Sequence, residues 1–168
     1  MVIKIELVLD DKVWLDHVTR IKVKNIVKKA LTGIMSLLGI NITKYAAKTI
    51  ELSIVLTGDN TIRDYNRNYR DNDKPTNVLS FPIYEKEFIK ELKCNDYLLI
   101  GDVVLSIDTI LKESKEQNKP FLNHLTHLIV HSILHLFGFD HINIQEAKGM
   151  ETMEIKVLND FGIDNPYE

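Results

Sequence analysis

Apolar and polar residues alternate from the first positions, where Ile3, Ile5, Leu7 and Leu9 fall on one side of an extended chain and Lys4, Glu6 and Val8 on the other. That period of two predicts a strand with one buried face. Over residues 20–38 the period lengthens, and Val23, Ile26, Val27, Ala30, Leu31, Ile34 and Leu38 form the stripe of an amphipathic helix. Lys22, Lys28 and Lys29 then belong to its solvated side. A second strand is predicted over residues 50–57, closed by Gly58, Asp59 and Asn60, which cap a short helix over 61–70. Residues 71–76 are rich in turn formers, and 77–81 form an extended apolar segment ended by Pro82. Residues 83–97 have mixed charge and weak periodicity, and read as a surface excursion. A further strand is predicted over 98–106 and a helix over 108–118. Pro120 opens a helix that is apolar nearly all round, through Leu122, Leu125, Leu128, Ile129, Val130, Ile133, Leu134, Leu136 and Phe137. Such a helix should be the central buried one. The last helix runs over 145–160 and ends near Gly162. Strands interleaved with helices, then an all-helical final third, predict an α+β fold: a small mixed sheet packed against helices around a buried histidine-bearing helix. Residues 1–168 are expected to form a single domain.

Composition narrows the function classes. A hydrophobic share of 45% and a charged share of 27% suit a soluble globule. No apolar run reaches the roughly 18 residues of a membrane span. The first ten residues lack a basic region and a cleavage site, so they read as a strand and not a secretory leader. The single cysteine, Cys94, cannot form an internal disulfide and reads as a bystander thiol. Together these features predict a cytoplasmic protein. The net charge of −3 supplies no global attraction for nucleic acid, so any such binding needs a local basic patch.

Candidate chemistry is concentrated in His131-Ser-Ile-Leu-His135-Leu-Phe-Gly138-Phe-Asp-His141. His131 and His135 are four apart and share one helical face. Gly138 can end the helix and fold the chain back, bringing His141 in as a third ligand. Three imidazoles suit a zinc-like ion with one position open to water or substrate. His124 and His127 lie on nearly the same face but a turn further from His141. His127 is therefore assigned to orienting a ligand or touching substrate, and His124 to an exposed or hydrogen-bonded position. A second cluster lies on the helix over 61–70, where Arg63, Arg67 and Arg70 share a face opposite Ile62, Tyr65 and Tyr69. Guanidinium groups bind phosphate oxygens in pairs, which makes this face a candidate nucleic-acid contact.

The stretches from Asn66 to Pro82 and from His127 to His141, with Ile100-Gly-Asp-Val-Val-Leu-Ser106 and Asn165-Pro-Tyr, resemble the bacterial YbeY family over nearly the whole chain. The resemblance implies a single-strand-specific, metal-dependent endoribonuclease that matures ribosomal RNA, including the 3′ end of 16S rRNA, and takes part in ribosome quality control. It also implies one Zn2+ per chain, single-stranded and ribosomal RNA as substrates, and the ribosome or its small-subunit proteins as partners, with no DNA or membrane. His131, His135 and His141 match the family's metal ligands, and Arg70 its catalytic arginine. Ser132 stands where the family usually has Gly.

In that setting the ion polarises a phosphoryl oxygen, activates a water, or does both, while Arg70 stabilises charge at phosphorus. The nucleophile is either a water or the RNA's own 2′-hydroxyl. Asp140, beside the last ligand, is a general base, an orienting group or a turn cap. The histidine spacing is also that of metzincin proteases, but these carry Glu directly after the first His, where this chain has Ser132. Met150 and Met153, which could suggest a methionine turn, fit a helical core pattern better. Two rivals remain: a metalloprotease-like hydrolase, and a non-catalytic ribosome-assembly factor with a structural metal site.

Overall fold

The computed structural model describes residues 1–84, 88–141 and 143–168. Strand β1 (Val2–Leu9) leads through a 3₁₀ turn, Lys12–Asp16, to helix α1 (Arg20–Leu37). Strand β2 (Thr49–Thr57), helix α2 (Asp59–Arg70) and strand β3 (Val78–Pro82) follow. After helix α3 (Phe88–Cys94) come strand β4 (Tyr97–Ser106) and helices α4 (Ile107–Glu116), α5 (Phe121–Leu136) and α6 (Ile144–Asp160). The strands lie in the order β1-β2-β4-β3, with β1, β2 and β4 parallel and β3 antiparallel at one edge. This is the expected α+β arrangement with a mixed sheet.

Alternation along β2 sends Ile50, Leu52, Ile54 and Leu56 into the core, and α5 is buried by α1, α4, α6, β3 and β4. A smaller cluster of Ile62, Leu79 and Val104, flanked by Val55, Tyr65 and Phe81, fastens α2 to the sheet's other face. That attachment carries the end of α2, and so Arg70, to the edge strand β3.

Two positions bring β3 and the end of α5 together. Gly101 has φ +141, and a Cβ there would lie 2.2 Å from the Phe81 carbonyl oxygen and 2.9 Å from Leu136. Only glycine admits so close an approach. Asn77 donates its side-chain amide to Glu113 at 2.9 Å, while its Oδ1 accepts from Val78 N at 2.7 Å. Glu113 also bonds His124 Nε2 at 2.7 Å, which ties the start of β3 to α4 and α5. His124 is thus buried and hydrogen-bonded.

The segment 83–97 is not a mere surface excursion. Phe88 and Leu92, one helical turn apart on α3, are each 1% exposed, and the Phe88 ring lies 4.0 Å from that of Phe137. One i, i+4 repeat is too short to register as helical periodicity. Residues 85–87 of that segment lie outside the described residues. Trp14, also unassigned from sequence, is fully buried and donates Nε1–H to the Thr57 carbonyl at 2.9 Å. Met150 is buried and Met153 packs against the core, as the helical pattern predicts. Among the described residues, no helix is long and apolar enough to cross a membrane.

Candidate metal centre

Helix α5 ends in a Schellman turn. Gly138, at φ 85, donates to His135 O at 2.9 Å, and Phe139 N–H reaches back to Leu134 O at 3.0 Å. The reversal returns His141 to the two helix histidines, and one ring nitrogen from each of His131, His135 and His141 lies within 4.8 Å of the others. Asp140 helps shape the return, its Oδ1 accepting from His141 N at 2.8 Å.

Hydrogen bonds fix two of the imidazoles in one tautomer. His135 Nδ1 lies 2.9 Å from the Phe139 carbonyl, which can only accept, so Nδ1 carries the proton. His131 Nδ1 lies 2.7 Å from Glu154 Oε1 and is protonated by the same logic. With both rings neutral, both Nε2 atoms are bare, and they face each other at 3.2 Å. Burial, then the neighbouring His131 and His141, depresses His135 to about 4, so it is neutral near pH 7. Two facing lone pairs repel unless a cation lies between them. Two zinc–nitrogen bonds of about 2.0–2.1 Å at a tetrahedral angle span roughly 3.3 Å, so the residues present fit such an ion.

The histidines open into a cleft of about 720 Å³, whose other wall is β3, through Val78, Leu79, Ser80 and Pro82, together with Arg70. Arg70 donates to Ser80 O at 2.9 Å, and its guanidinium carbon lies 5.8 Å from the Phe81 ring centre. No carboxylate pairs with it among the described residues. Arg63 and Arg67 differ. Arg63 makes two bonds to Asp73 at 2.8 and 2.9 Å, Arg67 bonds Asp64 at 2.8 Å, and neither lines the cleft. Among the described residues, Asp140 is the only carboxylate that lines the cleft. His127 lies outside the cleft lining and bonds Glu154 at 3.0 Å.

Ser132 points the other way. It is fully buried, and its hydroxyl donates to Leu128 O at 2.7 Å without interrupting α5. The position at which metzincins carry their Glu thus faces the core.

Sequence reasoning missed Glu154 and Tyr167. Glu154 is 1% exposed and accepts from His131, His127 and the Tyr167 hydroxyl. Burial alone would raise its carboxyl, but hydrogen bonds from His127, His131 and Tyr167 outweigh burial and lower it to about 2. Burial and the bond to Glu154 in turn raise the Tyr167 phenol. A signal was present, since Glu154 sits on the α6 stripe of Met150, Val157 and Leu158, where an apolar residue belongs.

Comparison with known proteins agrees with this geometry. The family model described as Endoribonuclease YbeY matches residues 11–162. Proteins named Endoribonuclease YbeY from Rhizorhabdus wittichii and Sinorhizobium medicae are 46% identical over 124 residues and 45% identical over 122. Each match covers 73% of this chain, and 73% and 70% of the respective relative. The solution structure of a Thermotoga maritima protein shares the fold, with a TM-score of 0.55 at 20% identity, over 94% of this chain and 91% of the other. With the family model spanning the whole histidine cluster, Arg70 and Glu154, the chain belongs to the endoribonuclease YbeY family.

Proposed function

We propose that this chain is a single-strand-specific, zinc-dependent endoribonuclease acting in ribosomal RNA maturation, including the 3′ end of 16S rRNA, and in ribosome quality control in the cytoplasm. The observation that carries the reading is the convergence of His131, His135 and His141 with Arg70 in one cleft. His131, His135 and His141 would hold one zinc ion, which supplies Lewis acidity toward a phosphoryl oxygen or a water. Arg70, anchored at Ser80 O and without a carboxylate partner among the described residues, binds the scissile phosphate and stabilises charge that builds on it. Asp140, the one carboxylate among the described residues that lines the cleft, takes the proton from the attacking water while its other role, capping the turn, keeps His141 in place. Arg63 and Arg67, neutralised by Asp73 and Asp64, add only general attraction for the RNA backbone.

The protease reading has no carboxylate base after His131, because Ser132 faces the core. Cleavage of a labelled single-stranded RNA by metal-loaded and chelator-treated protein, with casein digested in parallel, tests the assignment. RNA cut only by the loaded form is expected. Digestion of casein would instead favour a protease, and neither reaction would favour an assembly factor with a structural metal.

A further inference from the structure

Glu154 has no obvious reason to be where it is. It lies mid-stripe on α6 between Met150 and Leu158, 1% exposed, where a leucine or methionine would bury apolar surface without desolvating a charge. Its partners explain the choice. Oε1 accepts from His131 Nδ1 at 2.7 Å, while Oε2 accepts from His127 Nε2 at 3.0 Å and from the Tyr167 hydroxyl. Among the described residues no Lys or Arg pairs with it. The Tyr167 side is itself fixed, because Tyr167 N–H donates to Asn165 Oδ1 at 3.1 Å and Lys119 Nζ donates to Pro166 O at 3.0 Å.

We propose that Glu154 is a positioning residue for the metal centre, clamped by Tyr167 and His127, so that the segment after α6 controls metal affinity through His131. This rests on His131 being a metal ligand. By accepting the Nδ1 proton, Glu154 holds the ring with its bare Nε2 toward His135, and its negative charge makes that nitrogen a better donor to a cation. Tyr167 and His127 occupy the second oxygen, which stops the carboxylate from rotating away from His131. The positional information thus runs from Asn165 and Lys119, through Tyr167 and Glu154, to a ligand on α5.

The test uses the full chain and zinc alone, with affinity read by competition against a chromophoric chelator and thermal unfolding recorded with and without zinc. Glu154→Gln keeps the shape and removes the charge, and should weaken zinc binding about 10–100-fold. Its unfolding temperature should fall more with zinc than without, so that the rise produced by zinc shrinks. Tyr167→Phe should weaken binding about fivefold, the share of one hydrogen bond. Zinc affinity in Glu154→Gln within about twofold of wild type would overturn the proposal, as would equal falls in unfolding temperature with and without zinc, the mark of a purely structural role. If Glu154→Gln does not fold, Tyr167→Phe decides: weakened zinc binding supports the clamp and unchanged binding overturns it. RNA cleavage at saturating zinc separates this from the proposed function, since a wild-type chain that binds zinc but cuts no RNA defeats the nuclease reading and leaves the clamp standing.

Discussion

The Nε2 atoms of His131 and His135 face each other at 3.2 Å, a separation that two ligands of one cation would have. The His135 ring is held by the Phe139 carbonyl and flanked by both other imidazoles. His135→Ala should therefore abolish tight metal binding, checked by metal content after dialysis, with circular dichroism confirming that the helices persist. Arg70 makes a different demand. It touches the cleft but none of the three histidines, so Arg70→Ala should leave metal content intact and cut RNA cleavage by roughly 10²–10³, as for loss of one transition-state donor. Arg63, bound twice by Asp73, serves as the control, and its replacement by Ala should reduce cleavage far less. Equal losses for both would assign Arg70 to general phosphate attraction.

At the scale of elements, the site depends on how closely edge strand β3 approaches the end of α5. The approach is set at Gly101, where a side chain would collide with the Phe81 carbonyl. Gly101→Ala should destabilise the fold by about 1–3 kcal/mol from overpacking alone, read as a lower midpoint of urea unfolding. It should also widen the cleft and weaken cleavage at a given metal occupancy. Helix α5 carries a similar dependence on Gly138, whose positive φ ends the helix and returns His141. The sequence made this turn readable, because glycine after an apolar helix has few other uses. Helix α3 was not readable. Its core residues Phe88 and Leu92 supply one repeat of the helical period, and tertiary packing against Phe137 decides the rest.

For the whole molecule, a net charge of −3 means that RNA is not gathered from a distance by the overall field. Binding must rest on the few cationic groups at the cleft, chiefly Arg70 and the metal centre. Affinity for a non-cleavable single-stranded oligonucleotide should thus fall only gently with salt. A logarithmic slope between about −0.7 and −2 corresponds to one to three phosphate contacts. Fluorescence anisotropy across a salt series measures it, and a slope of about −5 or steeper would reveal a broad basic surface that the Arg63 and Arg67 ion pairs do not predict.

The sequence by itself determined the strands and long helices, the central burial of α5 and the three histidines, because each is encoded locally. Alternation marks a half-buried strand, a stripe marks a helix, and i, i+4 spacing with a glycine turn marks a shared ligand face. What only the tertiary structure decided was how distant segments meet. The union of α2, β3 and α5 around one cleft brings Arg70 opposite the histidines, although Arg70 and His131 are 61 positions apart in the chain. The same fold separates Arg70 from Arg63 and Arg67, which share its helical face in sequence but are drawn off by Asp73 and Asp64. Glu154 and Tyr167 join His131 only because α6 packs against α5 and the following segment folds back. No short-range periodicity records such a contact, since a hydrogen bond between segments depends on where whole elements pack and not on the residues beside it.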